Sequence, residues 1–315
     1  MRDLISKLGF AVDELDNDPA YKFAGKIYHD QILGTITKIK YRTKYLRKRF
    51  QKDHQSATVL FLPDRPEYSH ILYKICNSLG LTVTTSVYTQ PDLVVAFEDV
   101  TKRSQSLLLA ELSTDHFIVN LHCSDISKTK VEEVFREVFG YGTFIDPLTY
   151  QGSCVMKSDD NAMHDGTLIQ CPVTSTRTDV VYQRIINNTV GDEVLDVRVP
   201  IVGGVVPLIY WKYRDAKSRF SNWNDRAKID SPDSAFSERE LALINQFTLK
   251  LGLDFGELDV LRDVDDGRIY IVDVNNTPCG PPNHLGKAAS KQAVDMLSAS
   301  FYDEFLCRTP TRDEP

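Results

Sequence analysis

One stretch, from Phe255 to Pro278, constrains this chain more than any other. It reads Phe-Gly-Glu-Leu-Asp259-Val-Leu-Arg262, then a turn at Asp265-Asp266-Gly267, then Ile-Tyr-Ile-Val-Asp273-Val-Asn275-Asn-Thr-Pro278. Asp-Gly between two apolar runs predicts a β-hairpin. Residues two apart on a strand face the same side, so Asp273 and Asn275 point one way, and Asp259 can join them from the neighbouring strand. Three hard oxygen ligands on one sheet face suit Mg²⁺, which takes one or two carboxylates together with substrate phosphates. The plain alternative is a set of strand-end acids facing water.

Bulk properties narrow the class. The chain has 315 residues, long enough for one large domain or two. Its 42% hydrophobic and 26% charged content is that of a water-soluble globular protein. No apolar run reaches the roughly 18 residues of a membrane span. The N-terminus, Met1-Arg-Asp-Leu-Ile-Ser-Lys-Leu, lacks the apolar segment of a signal peptide. Six cysteines (76, 123, 154, 171, 279 and 307) are scattered with no Cys-x-x-Cys pair, so a cytoplasmic protein without a zinc site is expected.

The net charge of −7 argues against general nucleic-acid binding. One segment opposes it: Lys38, Lys40, Arg42, Lys44, Arg47, Lys48, Arg49 and Lys52, interleaved with Ile39, Tyr41, Tyr45, Leu46 and Phe50. It reads as a basic amphipathic helix, either a solvated face or a contact for an anionic partner.

Along the chain, residues 1–55 form a basic helical preface. Ala57–Leu62 is a continuous apolar run of a buried strand, Tyr68–Leu79 has helical spacing closed by Gly80, and strands follow at 81–86, 93–97 and 117–121. Strand, helix, strand with short links predicts a parallel α/β domain over 56–120. Lys130–Phe139 is a helix. Hairpins are expected from Ser153–Lys157, Thr167–Cys171 and Val180–Ile186, and from Val194–Val202 into Val205–Trp211. Ser237, with Glu240 three residues on, caps a helix to Leu251, and a last helix covers about 290–305.

The order of these parts resembles the ATP-grasp superfamily of carboxylate–amine ligases, such as glutathione synthetase and D-alanine–D-alanine ligase, over about residues 121–300. The match rests first on Phe255-Gly256-Glu-Leu-Asp259 and Asp273-Val-Asn275-Asn-Thr-Pro278. Here the resemblance assigns Asp259, Asp273 and Asn275 to Mg²⁺ on the ATP phosphates. The family's middle ligand is usually Glu, and Asp273 is one methylene shorter. Cys154-Val-Met-Lys157 matches the strand that ends in a phosphate-binding lysine. The loop after it, Ser158-Asp-Asp-Asn161-Ala-Met-His164-Asp165-Gly166, departs from the family's glycine-rich pattern by carrying acids.

In Val180-Val-Tyr-Gln183-Arg184-Ile185-Ile186, the resemblance gives Gln183 and the main chain of Arg184, Ile185 and Ile186 to the adenine. Arg198 in Asp196-Val-Arg198-Val-Pro-Ile-Val-Gly-Gly matches an arginine facing the nucleotide or acyl-phosphate. Lys212, Arg219 and Asn222 resemble the basic stretch at the phosphates, and Lys128, near Asp125, a lysine reaching ATP. The proline-rich Thr277-Pro-Cys279-Gly-Pro-Pro-Asn283-His284 occupies the family's acceptor border.

The resemblance therefore implies an α/β N-terminal domain followed by an α+β ATP-grasp fold over 121–315. Two subdomains would clasp ATP, with a lid over about 150–187. It implies ATP- and Mg-dependent ligation of a carboxylate to an amine, the substrates being small molecules, peptides or polymers, and it leaves a homo-oligomer open. An ATP-grasp kinase and a non-catalytic ATP-binding module remain alternatives. No Gly-x-x-x-x-Gly-Lys-Ser/Thr loop and no Gly-x-Ser-x-Gly elbow occurs.

Overall fold

A computed structural model describes residues 57–163, 165–218 and 224–307. The basic segment 38–52 lies outside them, as do His164, Arg219 and Asn222. Among the described residues no helix is long and apolar enough to cross a membrane.

The first layer is a parallel sheet. Strands β1 (Thr58–Pro63), β2 (Thr82–Thr84), β3 (Leu93–Phe97) and β4 (Ile118–Val119) lie in the order β2-β1-β3-β4. Helix α1 (Ile71–Leu79) links the first two and ends on Gly80, whose φ of 72° a side chain would strain. Val59, Phe61, Val95 and Phe97 pack with α1 on one face. Leu60, Leu62, Val94 and Ala96 pack on the other with Leu109 of a short helix α2 (Leu107–Leu112). Burial of both faces is why these strands read as unbroken apolar runs. The expected strand at 81–86 is trimmed to three residues, and the helix begins at Ile71 instead of Tyr68.

The second layer is antiparallel. Strands β9 (Glu193–Val202), β10 (Ile209–Asp215), β11 (Arg226–Asp230), β12 (Phe255–Arg262) and β13 (Ile269–Asn275) run in the order β11-β10-β9-β12-β13, and β8 (Thr189–Val190) adds to the start of β9. One face carries Val197, Val199, Ile201, Leu258, Val260, Ile271 and Val274. It packs on helices α3 (Lys128–Phe139) and α4 (Glu238–Leu251). The expected capping box of α4 is present, with Ser237 and Glu240 each satisfying the other's backbone N–H. A third sheet, β6-β5-β7, is built from β5 (Gly152–Ser158), β6 (Thr167–Cys171) and β7 (Val180–Arg184). Helix α5 (Lys287–Phe301) packs on α1.

Asn120 joins the first two layers. Its Oδ1 accepts from the backbone N–H groups of Asp254 and Phe255 at 2.9 Å each, and its Nδ2 donates to Phe255 O at 2.7 Å. The start of β12, and with it the acid row, is thereby fixed against the end of the parallel sheet.

Candidate active site

The polar face of the antiparallel sheet follows from strand periodicity. Val197, Val199 and Ile201 of β9 enter the core, so Asp196 and Arg198 face away from it. Leu258 and Val260 of β12 are buried, so Glu257 and Asp259 share the opposite side. On β13, Ile269 and Ile271 lie in the core, and strict alternation would send Asp273 there too. A bulge prevents this. Asp259 pairs with Asp273 but Val260 pairs with Ile271, so Val272 is the extra residue. Beyond it, Val274 takes the core position and Asp273 and Asn275 join the polar face.

That face and the inner side of β5 and β7 enclose a cavity of about 520 Å³. Lys157, Gln183, Arg184, Ile185, Ile186, Arg198, Lys212, Asp259, Asp273 and Asn275 all line it. Arg214, of the same basic stretch as Lys212, lines it as well, and so do Glu257 and Asp196, to which the residue pattern alone assigns no role. The signal for them was the two-residue spacing: Glu257 precedes Asp259, Asp196 precedes Arg198, and Arg214 follows Lys212 by one strand period. Lys128 does not line the cavity. Its Nζ donates to Asp160 O at 2.6 Å, which holds the acidic loop, and its charge is felt at both Asp273 and Lys157. The loop's Asp159 carboxylate accepts from Thr129 N at 2.8 Å in the first turn of α3, with Lys102 at 3.7 Å. A helix N-terminus favours such an anion, so this acid is compensated locally.

Cations and carboxylates alternate across the sheet. Arg198 meets Asp259 through two contacts, Nε to Oδ1 at 3.0 Å and Nη2 to Oδ2 at 3.2 Å. Lys212 Nζ lies 3.5 Å from the same Oδ1. Burial alone would raise the Asp259 carboxyl, but Arg198 and Lys212 outweigh it and hold it well below the usual carboxylate range. Arg214 pairs with Asp196. Glu257 is 4% exposed, and burial raises its carboxyl to about 7 against the pull of Arg198.

Lys157 has no carboxylate within ion-pair distance among the described residues; its Nζ donates only to Val272 O at 3.4 Å. Burial lowers its pKa to about 8, with Asp273 opposing. An ammonium so placed fits an anion supplied by a ligand.

The fit to a hard cation is tested by Asp273. Its Oδ1 is buried without a hydrogen-bond partner among the described residues. Burial and then the neighbouring Asp259 push its carboxyl up. A divalent cation at that oxygen removes both penalties. No group of three or more His, Cys, Asp or Glu converges as a metal site among the described residues. Two carboxylates and an amide, completed by phosphate oxygens, is the set that Mg²⁺ takes.

Two residues along the β5–β7 ladder from the Lys157–Val181 pair, Gln183 is oriented by a buried relay. Its Nε2 donates to Thr143 Oγ1 at 3.0 Å, and that hydroxyl donates to Glu132 Oε2 at 2.7 Å. Arg184 N–H is taken by Thr143 O at 2.8 Å, and its side chain by Asp263 at 2.5 Å. Beyond this relay the main chain of Arg184, Ile185 and Ile186 continues along the cavity wall.

Comparison with known proteins gives one kind of match. No family model and no curated protein matches the sequence. Solved structures do match. The ATP-grasp ligase PsnB complexed with minimal precursor, Mg and ADP shares 14% identity at a TM-score of 0.52, over 79% of this chain and 100% of that one. PsnB with a phosphomimetic variant of the precursor, Mg and ADP gives 13% and 0.51, over 79% and 99%. PsnB with minimal precursor alone gives 15% and 0.50, over 78% and 99%. The chain has the ATP-grasp fold.

Proposed function

We propose that this protein is an ATP-dependent ligase that joins a carboxylate to an amine through an acyl-phosphate, and that the cavity between the two antiparallel sheets is its nucleotide site. The observation that carries the reading is a buried Lys157 with no ion-pair partner among the described residues, beside an unsatisfied Asp273 facing the same space. A triphosphate and a divalent cation complement both at once.

In this reading the β5–β7 sheet is the lid subdomain over about 150–187. Gln183 and the main chain of Arg184, Ile185 and Ile186 meet the adenine, Lys157 the phosphates, and Arg198 and Lys212 the transferred group. Asp273, Asn275 and Asp259 are the residues that would hold Mg²⁺. When bound, Mg²⁺ neutralises charge on the phosphate oxygens as the γ-phosphoryl moves.

Phosphoryl transfer needs positioning and cations more than covalent help from the protein. The substrate carboxylate oxygen bonds the γ-phosphorus as the bond to the ADP oxygen breaks. The amine nitrogen then bonds the acyl carbon, phosphate departs with the C–O electrons, and the nitrogen loses a proton. Arg198, half-buried on the sheet face, is placed to offset charge at the acyl oxygen. The loop 277–284 borders the acceptor. The match to PsnB, whose structures hold a precursor peptide, supports a peptide among the substrate classes.

The test is Mg²⁺-dependent ADP release by the full chain against pooled amino acids, dipeptides and sugar acids, with Asp273→Ala beside it. Release that depends on one pool and disappears in the variant is expected. Phosphorylated product without an acceptor would support a kinase instead, and tight ATP binding with no turnover in any pool a non-catalytic module.

A further inference from the structure

Arg198 stands between two carboxylates of one strand. Asp259 takes its Nε and Nη2 at 3.0 and 3.2 Å; Glu257, one strand period earlier, lies 3.5 Å from the same Nε. Both acids project from β12 onto the cavity face, opposite Arg198 and Pro200 of β9 and Asp273 and Asn275 of β13. Arg198 is thus the shared counterion of two acids, of which only Asp259 stands beside Asp273.

This arrangement conflicts with a cation at Asp259. A carboxylate whose two oxygens are both engaged by a guanidinium has little capacity left for a metal. Forcing Arg198 off would strand a half-buried guanidinium, a large cost where no other partner waits. Glu257 is such a partner. It is 4% exposed, and apart from Arg198 no residue among those described lies within ion-pair or hydrogen-bond distance of it.

We propose that Glu257 is the alternative counterion for Arg198: when Mg²⁺ enters at Asp259, the guanidinium shifts one strand position to Glu257. This rests on the nucleotide-site reading above and adds a positioning residue to it. Glu257 acts through Arg198 and touches neither metal nor phosphate. The exchange keeps the guanidinium paired in both states and moves its charge toward the proline-rich loop. Lys74 meets that loop through Gly280 O, and the Gly280 backbone approaches the Glu257 carboxylate.

The experiment is a double-mutant cycle read by binding, not turnover. ADP is titrated calorimetrically into the full-length protein with excess Mg²⁺ and with chelator, and the ratio of the two affinities reports the metal's contribution. Glu257→Gln keeps the side-chain shape, and a thermal melt confirms its fold. The expected result is a ratio about tenfold lower than wild type, the equivalent of 1.4 kcal/mol. In the Arg198→Ala background, where no guanidinium competes for Asp259, adding Glu257→Gln is expected to leave the ratio unchanged within about twofold. An equal loss in both backgrounds would mean that Glu257 acts on the metal only through its charge, and would overturn the inference. So would a single variant with the wild-type ratio. A wild type that binds ADP equally with and without Mg²⁺ would overturn the metal assignment, and one that binds no ADP would overturn the nucleotide-site reading itself.

Discussion

Arg198 of β9 and Asp259 of β12 are direct cross-strand partners whose side chains close into a two-point ion pair, Nε to Oδ1 at 3.0 Å and Nη2 to Oδ2 at 3.2 Å. Truncation at Arg198 leaves a half-buried carboxylate with Lys212 alone. Arg198→Ala is expected to lose about 3 kcal/mol of unfolding free energy in urea, the low end for buried pairs because both partners retain some exposure. The fold survives such a loss in a domain of ordinary stability. A change under about 0.5 kcal/mol, the usual range for surface substitutions, would show that the pair is solvated.

Asp273 sets function against stability. Its carboxylate is half-buried, partnerless at Oδ1 and next to a second acid. Asp273→Asn removes the like-charge repulsion while keeping the shape. The variant is expected to match or exceed wild-type stability in urea and to lose the Mg²⁺ enhancement of ADP affinity. A drop of more than about 1 kcal/mol would contradict the account.

Lys157 links nucleotide binding to protons. Burial depresses its folded-state value to about 8 from the ordinary 10.5. Its contribution to stability is therefore present above about 10.5 and lost as pH falls through about 8. A phosphate at Nζ favours the charged form, so ADP binding at pH near 8 is expected to take up about half a proton. Titrations in buffers of differing ionisation heat measure this. Lys157→Arg, permanently charged, should abolish the uptake; the same uptake in both proteins would move the linkage elsewhere.

The Glu132–Thr143–Gln183 relay predicts a loss confined to the base. Thr143→Val removes the hydroxyl that accepts from Gln183 Nε2 and donates to Glu132. ADP affinity is expected to fall by two- to about tenfold, the value of one hydrogen bond. The Mg²⁺ enhancement should be unchanged, because the relay bonds to none of Asp259, Asp273 and Asn275.

Legibility in the sequence followed the physics of each element. The β12–β13 hairpin was readable because an Asp-Gly turn and apolar alternation are local signals. The bulge at Val272 was not, although it decides which way Asp273 points; Ile269 and Ile271 taken alone send Asp273 into the core. Helix α2 was missed because only Leu109 of its six residues is buried, so it has no apolar stripe to read. Strand β11 was missed because an edge strand carries charge, here Arg226, Lys228 and Asp230. Glu257 was passed over as an ordinary strand acid, since its link to Arg198 depends on the β9–β12 register. The bond from Lys128 to Asp160 O is a tertiary contact that no spacing announces.

The central claim is that the cavity between the β5–β7 sheet and the acid row is a Mg²⁺–nucleotide site. The most direct measurement is a crystal structure of the full chain with Mg²⁺ and a non-hydrolysable ATP analogue. Phosphate oxygens are expected at Lys157 Nζ, a metal on Asp259, Asp273 and Asn275, and the adenine edge at Gln183 and the main chain of Arg184, Ile185 and Ile186. A nucleotide bound elsewhere, or a metal that leaves Asp273 untouched, would contradict the claim.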